Sequence, residues 1–397
     1  MGRWPTRTFN LKSPRRKRIS QYTPGRLLRL RVLTGLALLA LMLMVILILN
    51  ISAVPIINNV AQEITSYSGS PLPNVLFAGV AKSGTTSLTS WLLDSFGMCG
   101  AKVLPGELDN THNEDLVRKE VHFYDKDNTF QGKGIQFYKR KYDHCSGQKH
   151  IMDGTPDTVM FPDRVYSTYK KEAPELLSAL KIIVTLREPS SRELSWYNHM
   201  VDLASEYKKN NTKVPNWIKT VLDTEKEASP IMNFDEYTQQ LIHGRLRDRL
   251  RQDSFYAKHL IKWFELFDRQ QILILSYDEV KADPDKVQWR IKQFLGLKNQ
   301  FAGLNDPSSS TSTSTSTGTS TLPKKNQRNS SLKQSIPSCK AQSTLADLFE
   351  PENEKLYLLL EANSGPSMEQ HPFPKFRLGK CIATTDMKQK GTNGTPE

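Results

Sequence analysis

The chain has 397 residues and a formal net charge of +13, but the basicity is local: ten of its Lys and Arg lie between Arg3 and Arg31, and the first acidic residue is Glu63. The remainder carries only about +3, which excludes a nucleic-acid partner recruited by net charge. The length admits one large α/β domain with appendages or two modest domains.

The basic tail, residues 1–31, runs into an apolar stretch from Val32 to Leu49 that continues toward Pro55. A helix of about 20 apolar residues spans the hydrocarbon layer, so residues 32–54 are predicted to form a transmembrane signal-anchor. A cleavable signal peptide has a shorter apolar core, of about 7–15 residues, and a small-residue cleavage site. Pro55, Ile56 and Ile57 stand there instead. Arg15, Arg16, Lys17 and Arg18 hold the tail in the cytosol by the positive-inside rule. The rest then faces a lumen, as in a single-pass type II membrane protein. Cys99, Cys145, Cys339 and Cys381 all fall on that side and allow two disulfides, with the three pairings open. No two are spaced like zinc ligands, and no metal is expected. Asn210, Asn329 and Asn393 head tripeptides of the N-glycosylation type.

Residues 55–73, broken by Ser66, Ser68, Gly69, Ser70, Pro71 and Pro73, read as a stem. The lumenal domain is expected over 74–383. Short apolar runs predict strands at Val75–Val80, Val121–Tyr124, His150–Asp153, Leu180–Leu186 and Ile272–Ser276. Helical spacing predicts helices at Thr85–Phe96, Pro189–Ala204, Asp235–Leu250, Phe255–Phe267, Pro284–Leu295 and Leu345–Leu360. Strands alternating with helices argue for an α/β fold with a central parallel sheet covered on both faces. The Ser/Thr-rich stretch within 306–323 cannot bury a core and reads as a flexible insertion, and 384–397 as a disordered tail.

Gly79-Val80-Ala81-Lys82-Ser83-Gly84-Thr85-Thr86 joins the first predicted strand to the first predicted helix. Backbone amides at a helix N-terminus, with a lysine beside them, make an anion cradle. The two glycines keep the spacing of the nucleoside-triphosphatase P-loop, but Thr85 stands where its lysine belongs, and the lysine is Lys82. A nucleotide kinase or other P-loop phosphotransferase needs that lysine on the β/γ-phosphates and a hydroxyl on magnesium. A phosphosulfate, shorter and less charged, is served by a repositioned lysine and hydroxyls without metal.

Lys82-Ser83-Gly84-Thr85-Thr86-Ser87 resembles the 5′-phosphosulfate loop of Golgi-type carbohydrate sulfotransferases that use 3′-phosphoadenosine-5′-phosphosulfate (PAPS), particularly the heparan sulfate N- and 3-O-sulfotransferases. The resemblance implies a P-loop-like α/β fold over roughly residues 74–360 and sulfuryl transfer to a hydroxyl or amine of a polysaccharide or glycan. It also implies a Golgi membrane location. Arg187-Glu188-Pro189 follows a predicted strand, with Ser195 on the next helix, and an arginine and a hydroxyl so placed can converge on one phosphate. In the family these positions bind the 3′-phosphate. A later basic cluster, including Lys325 and Arg328, is the candidate for a further nucleotide clamp.

Lys119-Glu120-Val121-His122-Phe123-Tyr124-Asp125 resembles the strand that carries the general base of the 3-O-sulfotransferases, which assigns that role to Glu120. Strand alternation places Glu120, His122 and Tyr124 on one face, so His122 is expected to orient the base or to serve as it. Lys82 is the expected cation for the leaving group. Asp153-Gly154-Thr155-Pro156 resembles a segment in which the relatives carry an active-site lysine, and here that position is Gly154. A catalytically inactive lectin or scaffold with the same fold is the reading that this departure keeps open.

Overall fold

The computed structural model describes residues 72–105, 107, 118–222, 231–297, 337–364 and 372–377. All of them belong to one of the two compact units into which the chain divides, Tyr67–Glu397. The anchor expected at 32–54, the Ser/Thr insertion, the tail at 384–397 and both Lys325 and Arg328 lie outside the described residues. Among the described residues no helix is long and apolar enough to cross a membrane.

Four parallel strands form one sheet: β1 (Val75–Gly79), β2 (Met152–Asp153), β3 (Lys181–Leu186) and β4 (Ile272–Ser276), in the order β2-β1-β3-β4. They read as continuous apolar runs because both faces are covered, as parallel sheets require. On one face Val75, Phe77, Ile183, Leu273 and Leu275 pack against Leu88, Trp91 and Leu92 of α1 (Thr85–Phe96). The same cluster takes in Val280 of a short helix that continues from β4 and Val287, Ile291 and Leu295 of Pro284–Leu295, which stops at Gly296. On the other face Leu76, Ala78, Ile182, Val184 and Ile274 meet Val165, Tyr169, Leu260, Trp263, Leu356 and Leu360 from three further helices.

Expectation and structure differ in several places, of which four matter here. Leu72, assigned to the stem, is buried in the core, and the Pro73 carbonyl accepts a hydrogen bond from the Tyr169 hydroxyl. The helix expected over Asp235–Leu250 is two, Phe234–Ile242 and Arg247–Asp253, broken at a turn through Gly244. The helix expected at Leu345–Leu360 begins earlier, spanning Cys339–Ala362, with Ser338 capping it through the Ala341 amide. The fourth difference bears on function. Val121–Tyr124 is no strand but an irregular segment in which His122 adopts φ of 53°. Phe123 and Tyr124 both turn inward, joining Phe130 and Tyr138 in an aromatic cluster, so alternation is lost.

Cys99 and Cys145 form a disulfide with Cα atoms 5.8 Å apart. Cys339 is also disulfide-bonded, to a partner outside the described residues.

Candidate active site

The strand order creates the site. The chain leaves β1 toward β2 on one side and later crosses to β3 on the other, so the connections after β1 and β3 diverge and open a crevice at the carboxyl ends of the strands. β1 delivers the phosphate loop to that crevice, and β3 delivers Arg187.

The loop turns sharply: Lys82 (φ 70°) and Gly84 (φ 83°) are both left-handed. Gly84 stands at the N-cap of α1 with no side-chain cap, which leaves the first amides of the helix available to an anion. A side chain at Gly84 would be strained by its φ, and its Cβ would stand 2.9 Å from the Tyr277 ring. Ser83 is fully buried, and its hydroxyl donates to the Val80 carbonyl, closing the loop from within. Thr85 is buried; Lys82, Thr86 and Ser87 are half-buried at the crevice.

Arg187 and the phosphate loop touch directly. Its guanidinium donates to the Lys82 carbonyl at 2.9 Å and stacks 4.8 Å above the Tyr277 ring. Glu188 does not pair with Arg187 but caps the following helix, α2 (Pro189–Lys209), accepting from the amides of Ser190 and Ser191. Ser195 lies half-buried about two turns along α2. Behind the loop, Arg192 donates to the Ala81 carbonyl and pairs with Glu193, which is fully buried and also accepts from Arg249, Ser254 and Tyr237. Burial works against ionisation of Glu193, but Arg249 and Arg192 outweigh it and hold the carboxyl down to about 2.

The segment that carries Glu120 and His122 is tied to the end of β2. Asp153 accepts from the Thr155 hydroxyl at 2.7 Å, and that oxygen in turn accepts from the amides of Val121 and His122 at 3.0 and 3.1 Å. The Gly154 amide donates to the Lys119 carbonyl at 2.8 Å. These bonds place Glu120 and His122 side by side through a turn, where alternation along a strand was expected to do so. His122 Nε2 lies 3.3 Å from one Glu120 oxygen, and His122 Nδ1 lies 2.6 Å from Asp125. The other Glu120 oxygen accepts from the Lys119 ammonium, which also donates to the Thr86 hydroxyl at 2.9 Å.

Two charge states follow. Burial disfavours the Glu120 carboxylate, but the Lys119 charge and the His122 hydrogen bond prevail and hold it down to about 2. Burial disfavours the His122 imidazolium as well, yet hydrogen bonds to Asp125 and Glu120 carry it up to about 10. At neutral pH the pair is a carboxylate and an imidazolium, so of the two only Glu120 has a free position for a proton. Tyr124, expected on the same face, is fully buried away from them.

The Sulfotransferase domain family matches residues 72–355, most of the chain. The chain belongs to the sulfotransferase domain family. The human protein named heparan sulfate glucosamine 3-O-sulfotransferase 5 is 25% identical over 238 residues, which are 59% of this chain and 56% of that protein. The Caenorhabditis elegans protein named bifunctional heparan sulfate N-deacetylase/N-sulfotransferase 1 is 26% identical over 232 residues, covering 57% of this chain and 22% of that protein. The chain thus matches about half the length of the first and about a fifth of the second. Among solved structures, a sulfotransferase from Alicyclobacillus acidocaldarius aligns over 73% of this chain and 96% of its own, with 20% identity and a TM-score of 0.42.

Within this sulfotransferase domain, sequence reasoning left out Asp125, Asp157, Arg192 and Tyr277. Asp157 follows Pro156 and offers a carboxylate oxygen within 4.8 Å of ligand atoms of His122 and Asp125. Burial, with the Asp253 charge nearby, pushes its carboxyl up to about 6. The spacing of Asp125 from His122 is a readable signal only once a turn, rather than a strand, is assumed. Contacts such as Arg192 to Ala81, over a hundred residues apart, leave no local trace.

Proposed function

We propose that this chain transfers a sulfuryl group from PAPS to a hydroxyl or amine of a carbohydrate acceptor, working in the Golgi lumen from a membrane anchor at residues 32–54. The observation that carries the reading is the juxtaposition of a phosphate loop and a carboxylate base: one side chain, Lys119, touches both Thr86 and Glu120. The family match and the names of the relatives, which specify heparan sulfate, support a polysaccharide acceptor.

The donor supplies an activated sulfuryl group, and the crevice has the groups to receive it. Uncapped amides of α1 and Lys82 suit the 5′-phosphosulfate. Arg187 and Ser195, with Lys325 and Arg328 as the candidate clamp, suit the 3′-phosphate. Glu120 takes the proton of the acceptor as its oxygen or nitrogen bonds to sulfur. The bond from sulfur to the phosphate oxygen breaks, and Lys82 meets the charge left there. His122, held by Asp125, keeps the carboxylate oriented.

A phosphotransferase reading meets Thr85 at the position of the P-loop lysine. Calorimetry with adenosine 3′,5′-bisphosphate (PAP) in EDTA separates the two: tight binding without magnesium is expected, and binding of ATP only with magnesium overturns the donor assignment. Transfer of labelled sulfate from PAPS to a panel of native and desulfated polysaccharides then identifies the acceptor; donor binding with no transfer to any acceptor would favour an inactive lectin.

A further inference from the structure

Lys119 is a buried cation, 2% exposed, in a place where burying a charge demands partners. Its two partners belong to opposite halves of the reaction. The Thr86 hydroxyl, 2.9 Å away, is in the first turn of α1, at the mouth of the phosphate loop, and the other is the carboxylate of Glu120. Its aliphatic stem lies over Gly154: a Cβ there would stand 3.2 Å from Lys119 Cγ, 3.1 Å from the Lys119 carbonyl and 2.9 Å from a methyl of Thr89. The absence of a side chain at Gly154 therefore makes the room in which Lys119 reaches the loop. A side chain at 154 would press on the present course of Lys119 and on the Thr89 methyl, so one or both would have to shift.

We infer that Lys119 couples the base to the donor: it bridges Glu120 and the Thr86 hydroxyl, and it turns from the carboxylate to the sulfonate oxygens of a phosphosulfate seated beside Thr86. The inference rests on the PAPS reading above and deepens it. A short rotation of the terminal Cγ–Nζ atoms suffices, because the ammonium already stands within hydrogen-bond distance of a hydroxyl on the loop side. The consequence is an ordered reaction. While Lys119 is on Glu120, burial works against the carboxylate but the Lys119 charge outweighs it, so Glu120 is a stabilised carboxylate of low basicity. Transfer of the ammonium to the donor removes that restraint, and Glu120 gains the basicity to accept the proton of the acceptor. The positive charge arrives at the sulfuryl group in the same movement.

The test is a comparison of ligands differing only in the sulfuryl group. Full-length protein is titrated calorimetrically with PAPS and with PAP, in EDTA and without acceptor. If Lys119 answers to the sulfonate, the wild type binds PAPS at least about tenfold more tightly than PAP, the size of one charge-assisted hydrogen bond. Lys119→Met then reduces the ratio to about 2 or less, while PAP affinity changes by less than about threefold. The double variant Lys119→Met with Glu120→Gln removes both charges of the pair, so it tests the same ratio without an unpaired buried carboxylate. Retention of the tenfold preference in either variant overturns the inference while leaving the donor assignment intact, as does equal loss of affinity for both ligands. A wild type that binds neither ligand overturns both readings.

Discussion

His122 Nδ1 lies 2.6 Å from the carboxylate of Asp125, three residues on, and this contact, with the one to Glu120, keeps the ring charged. Because the folded ring holds its proton up to about pH 10, its contribution to stability is complete below the unfolded histidine value and is lost as pH rises through about 10. Asp125→Asn should lower the His122 ring titration by at least about one unit, as followed by NMR, and bring the alkaline loss of stability to lower pH. An unchanged titration would mean that Asp125 does not set the ring's charge.

Glu120→Gln keeps the shape of the side chain and removes its capacity to take a proton, which tests the role proposed for it. Turnover should fall by about 10²–10⁴, with PAP affinity within about threefold of wild type. Equal losses of turnover and binding would make the carboxylate structural.

Asp157 provides a second stability test, at a lower pH, in which removing the titrating group is stabilising. Burial and Asp253 raise its carboxyl to about 6, so the folded state binds the proton more tightly than the unfolded chain. Stability is therefore lost as pH rises from about 4 to about 6. Asp157→Asn should stabilise the protein at pH 7.5 by on the order of 1–2 kcal/mol, allowing for partial solvent screening, and by almost nothing at pH 4. Thermal unfolding at both pH values measures it; equal effects at both would place the carboxyl elsewhere in the titration range.

Gly84→Ala forces a Cβ into a left-handed residue and against Tyr277, 2.9 Å away. A destabilisation of about 1–2 kcal/mol is expected from the backbone conformation alone. The displaced loop should cost at least about tenfold in PAP affinity. Normal binding in a folded variant would mean that the loop amides are not the phosphate ligands.

Much of the scaffold was legible because its signals are local. The runs at Val75, Leu180 and Ile272 lie in a sheet covered on both faces, and a strand so placed needs only continuous apolar residues. Pro284 and Gly296 bracket a helix whose ends depend on neighbouring dihedrals. The segment at Val121 misled because its apolar residues and its histidine fit an alternating strand equally well. What decides its shape is the Thr155 hydroxyl, bonded to two consecutive amides more than thirty residues earlier, together with the aromatic cluster that draws Phe123 and Tyr124 in. Glu120 and His122 do lie side by side, 3.3 Å apart, but a turn brings them together where strand alternation was expected to. The lysine that joins them to the loop was visible only as a neighbour of Glu120, since Thr86 stands 33 residues away.

The Cys99–Cys145 bond closes a covalent ring that contains Lys119, Glu120, His122 and Asp125, whereas Lys82 and Arg187 stand outside it. A single proteolytic cut inside that ring releases nothing: both halves stay tethered until the bond is reduced. Reduction would therefore free a single segment, the one that carries Lys119, Glu120, His122 and Asp125, and the Lys119–Thr86 hydrogen bond is the contact through which its loosening would reach the loop at Lys82.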